Sequence, residues 1–391
     1  MTLHLIRVSA LFLFLFTIAW GQSGSPSQQQ TAPPPTGSTA PLPAPATQTT
    51  DPPAPKWSVG SIDISGLLDG YYNFNSNHPA SGFNTLRNFE VKSNQFSLNM
   101  AKLSFSHAAD PIGFTLDVGF GRAWQIFHAS DPARGGNEYI PQAYVSLKPE
   151  RWGGLQFDFG KFYTSAGAEL TENNLTWSYG RGYLYTNGPY YHFGARVTKP
   201  LTSKFTVGLQ LVNGWNNLED NNSGKTIGIT TAWVGSKVSW YNTFYTGPEK
   251  TATNQGHRHF YDTVVNLTPN ARTNFYVNFD YGRENRAFGS SAAEWVAIGV
   301  AGRYQTTTHT ALALRYENYN DRRGFITGTA QKLNSFTLTG EYKWAQGLLS
   351  RLEYRRDWSD QAYFERGFQG LAKNQDTLTV GFVAYFSTNL R

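Results

Sequence analysis

From Trp57 onward the chain repeats one pattern, in which apolar and polar residues alternate with a period of two. Leu378, Val380, Phe382, Ala384 and Phe386 alternate with Thr377, Thr379, Gly381, Val383 and Tyr385. Phe336, Leu338, Tyr342 and Trp344 do the same, as do Phe275, Val277, Phe279 and Tyr281. Phe205, Val207, Leu209 and Leu211 form a further set, and Phe114, Leu116, Val118 and Phe120 another. Successive side chains of an extended strand point to opposite faces, so one face of each segment is apolar with aromatic ends. The opposite face carries Thr, Gly, Asn and charge. No amphipathic helical pattern of useful length appears.

The pattern predicts strands at 58–74, 94–107, 113–127, 139–148, 155–165, 190–199, 204–216 and 225–234. It continues at 237–246, 257–267, 272–283, 292–306, 309–320, 333–345, 348–359 and 374–386. That makes about 16, with 14 or 18 left open. Most have the ~9–11 residues or slightly more that a tilted membrane strand needs. Connections alternate between short ones, four of them carrying Pro111, Pro149, Pro200 or Pro269, and long ones such as 75–93 and 166–189. Short turns on one side and long loops on the other mark a transmembrane antiparallel up-and-down β-barrel, an all-β fold; a soluble sandwich has no reason to alternate this way. Two places fit poorly. The apolar parity slips between Phe96 and Phe105, which a bulge would explain. Strict parity would also turn Lys161 outward unless the strand ends or bulges there.

Composition agrees with a lipid-facing barrel. Aromatics reach 15%, charged residues are also only 15%, and the mean hydropathy is still negative, at −0.44. One apolar and one polar face per strand produce this average. The absence of cysteine excludes disulfides, thiolate metal sites and a thiol-linked lipid anchor. The net charge of +6 is mild, and no basic cluster interleaved with aromatics suggests nucleic acid.

The N-terminus reads as a signal peptide over 1–21: a weakly basic start (His4, Arg7), a short apolar run to Trp20, and small residues at Ala19 and Gly21. The apolar run is shorter than the ~20 residues a spanning helix needs. Residues 22–56 hold ten of the chain's 19 prolines among Gln, Ser, Thr and Ala, and read as a disordered periplasmic linker. The barrel is expected over 57–391, in the outer membrane.

About sixteen strands imply an aqueous lumen. The expected function is a porin for passive diffusion of ions and small hydrophilic solutes. The alternatives are a non-conducting recognition or adhesion barrel and, with less support, an outer-membrane hydrolase. Connection 166–189, the third external loop, is the candidate constriction, with Glu169, Glu172 and Arg181 as its candidate charges beside Trp177, Tyr179, Tyr183 and Tyr185. Candidate lumen charges are Arg122, Arg196, Arg303, Arg315, Arg351 and Arg355 facing Asp117, Asp158, Asp280, Glu317, Glu341 and Glu353. Such rows either orient solutes or neutralise one another in the wall; the small positive excess suggests a slight anion preference. Expected partners are outer-membrane lipid, the permeating solutes and the barrel-assembly machinery; monomer and homotrimer both stay open. His257 and His259 would share a strand face but lack an acidic third ligand. No Gly-x-Ser-x-Gly occurs, and Gly119-Phe120-Gly121 and Gly180-Arg181-Gly182 precede no helical pattern, so neither an enzyme nor a cofactor is expected.

The block Phe157–Phe162, Gly167-Ala168-Glu169, Asn174, Tyr179-Gly180-Arg181, Gly188-Pro189 and His192–Arg196 resembles the OmpL-like β-barrel porin family of Gram-negative bacteria. Further similarity lies in Phe96–Leu103, Gln142–Val145, Val212–Trp215 and Thr379–Phe382, over essentially all of 57–386. The resemblance implies an outer-membrane porin-like barrel without cofactor, and supplies neither a defined solute nor catalytic residues. One departure is that Phe386 is not terminal, so the insertion signal would lie at Tyr385-Phe386 or the last strand would run longer.

Overall fold

The structure, a computed structural model, describes residues 62–131 and 135–387. The expected signal peptide and linker lie outside the described residues. The first strands are β1 (Asp63–Asn75), β2 (Gln95–His107), β3 (Ile112–Phe120), β4 (Gln142–Leu147), β5 (Gln156–Tyr163) and β6 (Tyr191–Pro200). Next come β7 (Phe205–Val212), β8 (Thr226–Val234), β9 (Val238–Pro248), β10 (His257–Asn270), β11 (Thr273–Phe288) and β12 (Ser291–Gln305). β13 (Thr310–Asp321), β14 (Gln331–Ala345), β15 (Leu348–Ser359) and β18 (Asn374–Ser387) complete a closed barrel of 16 strands. Each strand pairs antiparallel with its neighbours, and β1 closes on β18 from Ser65↔Ser387 to Asn75↔Thr377. A small hairpin, β16 (Phe364–Arg366) and β17 (Gly370–Ala372), stands in the loop between β15 and β18.

The period-two pattern sets which face is which. Along β13, Ala311, Ala313, Arg315, Glu317, Tyr319 and Asp321 are buried inward, while Leu312, Leu314 and Tyr316 are exposed outward. The outer face elsewhere is Leu209, Leu211, Ile229, Phe275, Phe336 and Phe382, all exposed, with Trp233, Trp240, Tyr304 and Trp344 among the exposed aromatics. A soluble protein buries such residues. Here the interior is charged and the exterior greasy, the distribution a hydrocarbon surround favours.

Both irregularities have physical explanations. Against β2, the register steps from Asp69↔Met100 to Gly70↔Leu98, so Asn99 is an extra residue and parity reverses there. Phe96 and Leu98 before the bulge, and Leu103 after it, therefore all point outward and are exposed. Lys161 is not presented to lipid. It is buried, with its Nζ 2.6 Å from His128 Nε2 and over the Tyr191 ring.

The shielding comes from the segment after β3, because the third strand ends at Phe120 rather than reaching residue 127 as expected. Gly121, at φ 113°, turns the chain into a short helix, α1 (Arg122–Phe127). A Cβ at Gly121 would lie 2.5 Å from Asn99 O, so only glycine fits this turn. Ala123, Trp124 and Phe127 form the buried side of α1, a helical spacing masked by the short length of the run. Arg122 is thereby the first residue of α1 and not a wall charge.

His128 closes this cap. It is fully buried, its Nδ1–H donates to Trp124 O at 2.8 Å, and Nε2 accepts from Lys161. Burial first, and Lys161 second, push its pKa down to about 3 from the usual 6.5. A depressed histidine pKa contributes stability that is complete above 6.5 and is lost as pH falls toward 3. Limited proteolysis within 122–131 should therefore increase from pH 7 to pH 5, and His128→Gln should flatten that dependence; equal cleavage at both pH values in the parent would contradict this.

The wall is uneven in height. β4 has six residues and β5 and β7 eight each, against 16 in β11 and 15 in β12 and β14.

Candidate functional site

The connection between β5 and β6 leaves the wall at Thr164, whose N–H bonds Tyr190 O at 3.0 Å, and folds into the barrel. Its backbone then meets inward side chains of one strand after another. Gly167 N–H donates to Asp262 Oδ1 of β10 at 3.0 Å, and Ala168 N–H to Asn278 Oδ1 of β11 at 3.1 Å. Glu169 pairs with Arg315 of β13. Farther along, Tyr179 and Gly180 N–H donate to the two oxygens of Glu353 on β15 at 2.6 and 2.9 Å. Tyr179 Oη donates to Asp69 of β1 at 2.7 Å, and Tyr183 Oη to Asp357 of β15 at 2.8 Å. The loop crosses the lumen and is held by the far wall.

Three wall arginines grip its carbonyls. Arg315 donates to Gly180 O at 2.8 Å, Arg355 to Arg181 O at 2.6 Å, and Arg351 to Asn173 O at 2.6 Å and Ser178 O at 3.2 Å. A loop backbone inside a protein needs partners for its polar groups, and these guanidiniums supply them. Each arginine is also balanced by carboxylate: Arg351 by Glu341 at 2.7 Å, Arg355 by Asp357 at 2.9 Å, and Arg315 by Glu317 at 3.5 Å.

Among the three candidate loop charges, Glu169 and Glu172 are tied to wall cations. Glu172 pairs with Lys102 of β2 and accepts Tyr163 Oη at 3.0 Å. Arg181 does something else. It is fully buried and donates to Leu170 O (2.7 Å), Thr171 O (2.6 Å), Tyr179 O (2.7 Å) and Asn173 Oδ1 (2.5 Å), all within its own loop. It is an internal staple that shapes the loop before the wall receives it, and it faces no open lumen. Close approach also depends on Gly381 of β18: a Cβ there would lie 2.1 Å from Tyr179 Cε2. Gly381→Ala should weaken loop docking by about 1–3 kcal/mol, the usual cost of overpacking. Unchanged amide protection at Tyr179 would contradict that.

The remaining expected lumen charges point inward, and all but Asp280 are paired with an opposite charge. Asp158 binds Arg196 at 2.7 Å, Asp117 binds Lys102 at 3.0 Å, and Arg303 binds Glu341 at 2.9 Å. Asp280 accepts Asn278 Nδ2 at 3.2 Å. Sequence reasoning missed Asp69, Lys102, Asp262 and Asp357, although strand parity places Asp69 inward beside Leu67 and Tyr71. It also missed the first external loop. Arg87 of that loop reaches Asp357 at 2.6 Å, and Glu90 lies 3.7 Å from Arg355. Burial raises the Glu90 carboxyl pKa, with Arg87 opposing. No long-range signal in the sequence announces that contact.

The result is a lumen with little free space at the crossing. Asp69, Asp117, Asp158, Arg196, Gln210, Thr243, Asp262, Asn278, Arg315, Thr337, Arg355 and Thr379, from twelve strands, are each at most 4% exposed. At the outer rim, His259 is already engaged, by Thr246 Oγ1 at 2.9 Å and Asn285 Nδ2 at 3.1 Å. Among the described residues, no group of three or more His, Asp or Glu is placed to hold a metal ion.

A closed antiparallel barrel with a greasy exterior, a charged interior and an inserted loop defines a porin-type protein of the outer membrane. The chain belongs to the beta-barrel porin-2, OmpL-like family, which it matches over residues 61–386. No curated protein matches it in sequence. Solved structures share the fold at low identity. The outer membrane channel DcaP of Acinetobacter baumannii aligns with TM-score 0.57 at 12% identity, over 83% of this chain and 97% of that one. OmpT of Vibrio cholerae in its trimer form gives 0.56 at 14%, over 83% and 99%. An anion-selective porin from Comamonas acidovorans gives 0.55 at 11%, over 83% and 99%.

Proposed function

We propose that this protein is a porin for passive diffusion of ions and small hydrophilic solutes, with loop 166–189 as its constriction. The observation that carries the reading is that loop, bonded across a sixteen-stranded lumen to β10, β11, β13, β15 and β1. The tight packing at the crossing supports a narrow passage rather than a wide one. A positive excess near the short-turn end, where Arg303 and Arg351 share Glu341, supports an anion preference. We read the chain as a channel and not an enzyme. Export by a signal peptide cut after Gly21, a periplasmic tether over 22–56, insertion by the barrel-assembly machinery and association into a trimer belong to the same reading.

Planar-bilayer recording of the refolded protein tests it. Small, stable conductance steps, well below those of an unobstructed barrel of this size, are expected, with a reversal potential in a salt gradient favouring anions. A correctly folded but silent barrel would overturn the channel reading in favour of surface recognition. Cation selectivity would overturn the charge argument alone.

A further inference from the structure

On the outward face of the barrel, charge returns near the long-loop end of β15. That strand turns Leu352, Tyr354, Arg356 and Trp358 outward, and Arg356 stands three residues before its end at Ser359. An outward arginine is costly at the middle of a bilayer and nearly free at the interface, where its head reaches the polar layer. Arg356 is flanked in register by Phe336 of β14 and Asp376 of β18. A groove of about 560 Å³ opens here on the lipid side, lined by Tyr316, Phe336, Tyr354 and Trp358 together with Arg356 and Lys373. That volume lies within the range of sites that hold small ligands.

The groove is under-neutralised. Arg356 Nη1 lies 3.3 Å from Asp376 Oδ1, and its side chain stays about half exposed. Asp376 is well supplied with donors, since Tyr354 Oη donates to Oδ1 at 2.6 Å and Asn374 Nδ2 to Oδ2 at 3.1 Å. Lys373 is exposed and enters no ion pair among the described residues. One carboxylate therefore stands against two cations. Toward the short-turn end the same face becomes apolar: Leu338 lies beside Tyr354, with Leu314 and Leu378 as the next neighbours in register. Cations above, aromatic rings between and aliphatic side chains below match an anionic headgroup with an acyl chain beneath it.

We propose that this groove seats one membrane lipid that carries a phosphate monoester. The phosphate accepts from Arg356 and Lys373, Tyr354 and Trp358 border the headgroup, and an acyl chain runs over Phe336 and Leu338. A phosphate monoester brings up to two negative charges and three acceptor oxygens to the two cations. The inference goes beyond the channel reading and requires only that the outward face meets lipid. Native mass spectrometry of the refolded protein in a neutral detergent, with phosphatidate, phosphatidylcholine, diacylglycerol or inorganic phosphate added, provides the test. Phosphatidate should be retained as a single adduct at least about tenfold more tightly than phosphatidylcholine or diacylglycerol, which lack the net charge or the phosphate. Inorganic phosphate at the same concentration should leave no adduct. Arg356→Gln combined with Lys373→Gln, both at exposed positions, should weaken phosphatidate about tenfold or more, as loss of charge-assisted bonds does. Lys237→Gln, in an exposed turn at the opposite end of the wall, should leave retention unchanged. Equal retention of phosphatidate and phosphatidylcholine, or phosphatidate retention indifferent to the double substitution, would overturn the proposal. So would an equal loss in Lys237→Gln, which would mean attraction to the protein's charge at large, or an inorganic phosphate adduct as tight as phosphatidate, which would mean an ion site without a lipid.

Discussion

Replacing residues 169–186 with a short flexible linker should raise single-channel conductance by roughly severalfold, because it removes the segment that crosses a 16-stranded lumen and leaves the first external loop, anchored at Asp357, as the remaining obstruction. The barrel itself should survive, since its hydrogen-bond ladder runs from strand to strand and closes between β1 and β18 without the loop. The wall groups that lose partners, Asp69, Arg315, Arg351, Glu353 and Arg355, would then face water and regain their hydration, which limits the cost of leaving them unpaired. The check is bilayer conductance together with an unchanged β-sheet circular dichroism spectrum. An unaltered conductance in a folded barrel would mean that ions already pass around the loop and that the crossing sets no limit.

Arg351→Ala should release the loop without unfolding the wall. Arg351 binds Glu341 and the carbonyls of Asn173, Thr176 and Ser178, and is itself only 2% exposed. Removing one partner of a buried pair commonly costs about 3–5 kcal/mol, because the remaining charge and acceptors stay desolvated. Undocking the loop is the least costly way to rehydrate those groups, so the loss should appear there first. Trypsin reports it directly, since Arg181 is buried in the parent and would become a cleavage site once the loop swings free. Arg351→Lys should rescue only part of the effect, because an ammonium cannot spread over four acceptors as the planar fork does. Resistance of Arg351→Ala to cleavage at Arg181 would show that Glu353, Arg315 and Arg355 hold the loop unaided.

The wall was legible because its code is local. Alternation at Leu312, Leu314 and Tyr316 against Ala313, Arg315 and Glu317 states the inward face without knowledge of any neighbour, and the spacing of turns states the topology. The parity slip at Phe96–Phe105 pointed to a bulge and Asn99 supplies it. Reading failed where the code became long-range or too short. The run Ala123-Trp124-Gln125-Ile126-Phe127 is too brief to separate strand from helix by periodicity. Glu169 and Arg181 were visible as loop charges, but nothing in the sequence says that Arg181 satisfies its own loop's carbonyls. The roles of Asp69 and Asp357 depend on residues 110 and 174 positions away, through Tyr179 and Tyr183.

The uneven wall has a consequence for the bilayer rather than for the lumen. The six-residue β4 extends about 20 Å along its own direction, and at the usual tilt it covers only about 15 Å of a hydrophobic band some 25 Å tall. The 16-residue β11 exceeds that band. Lipids beside β4 must therefore compress or splay their tails, while those beside β11 remain relaxed, at a cost of a fraction of a kcal/mol for each ångström of mismatch. The barrel thus carries a lopsided elastic footprint, and two barrels that turn their low sides together would share one dimple instead of making two.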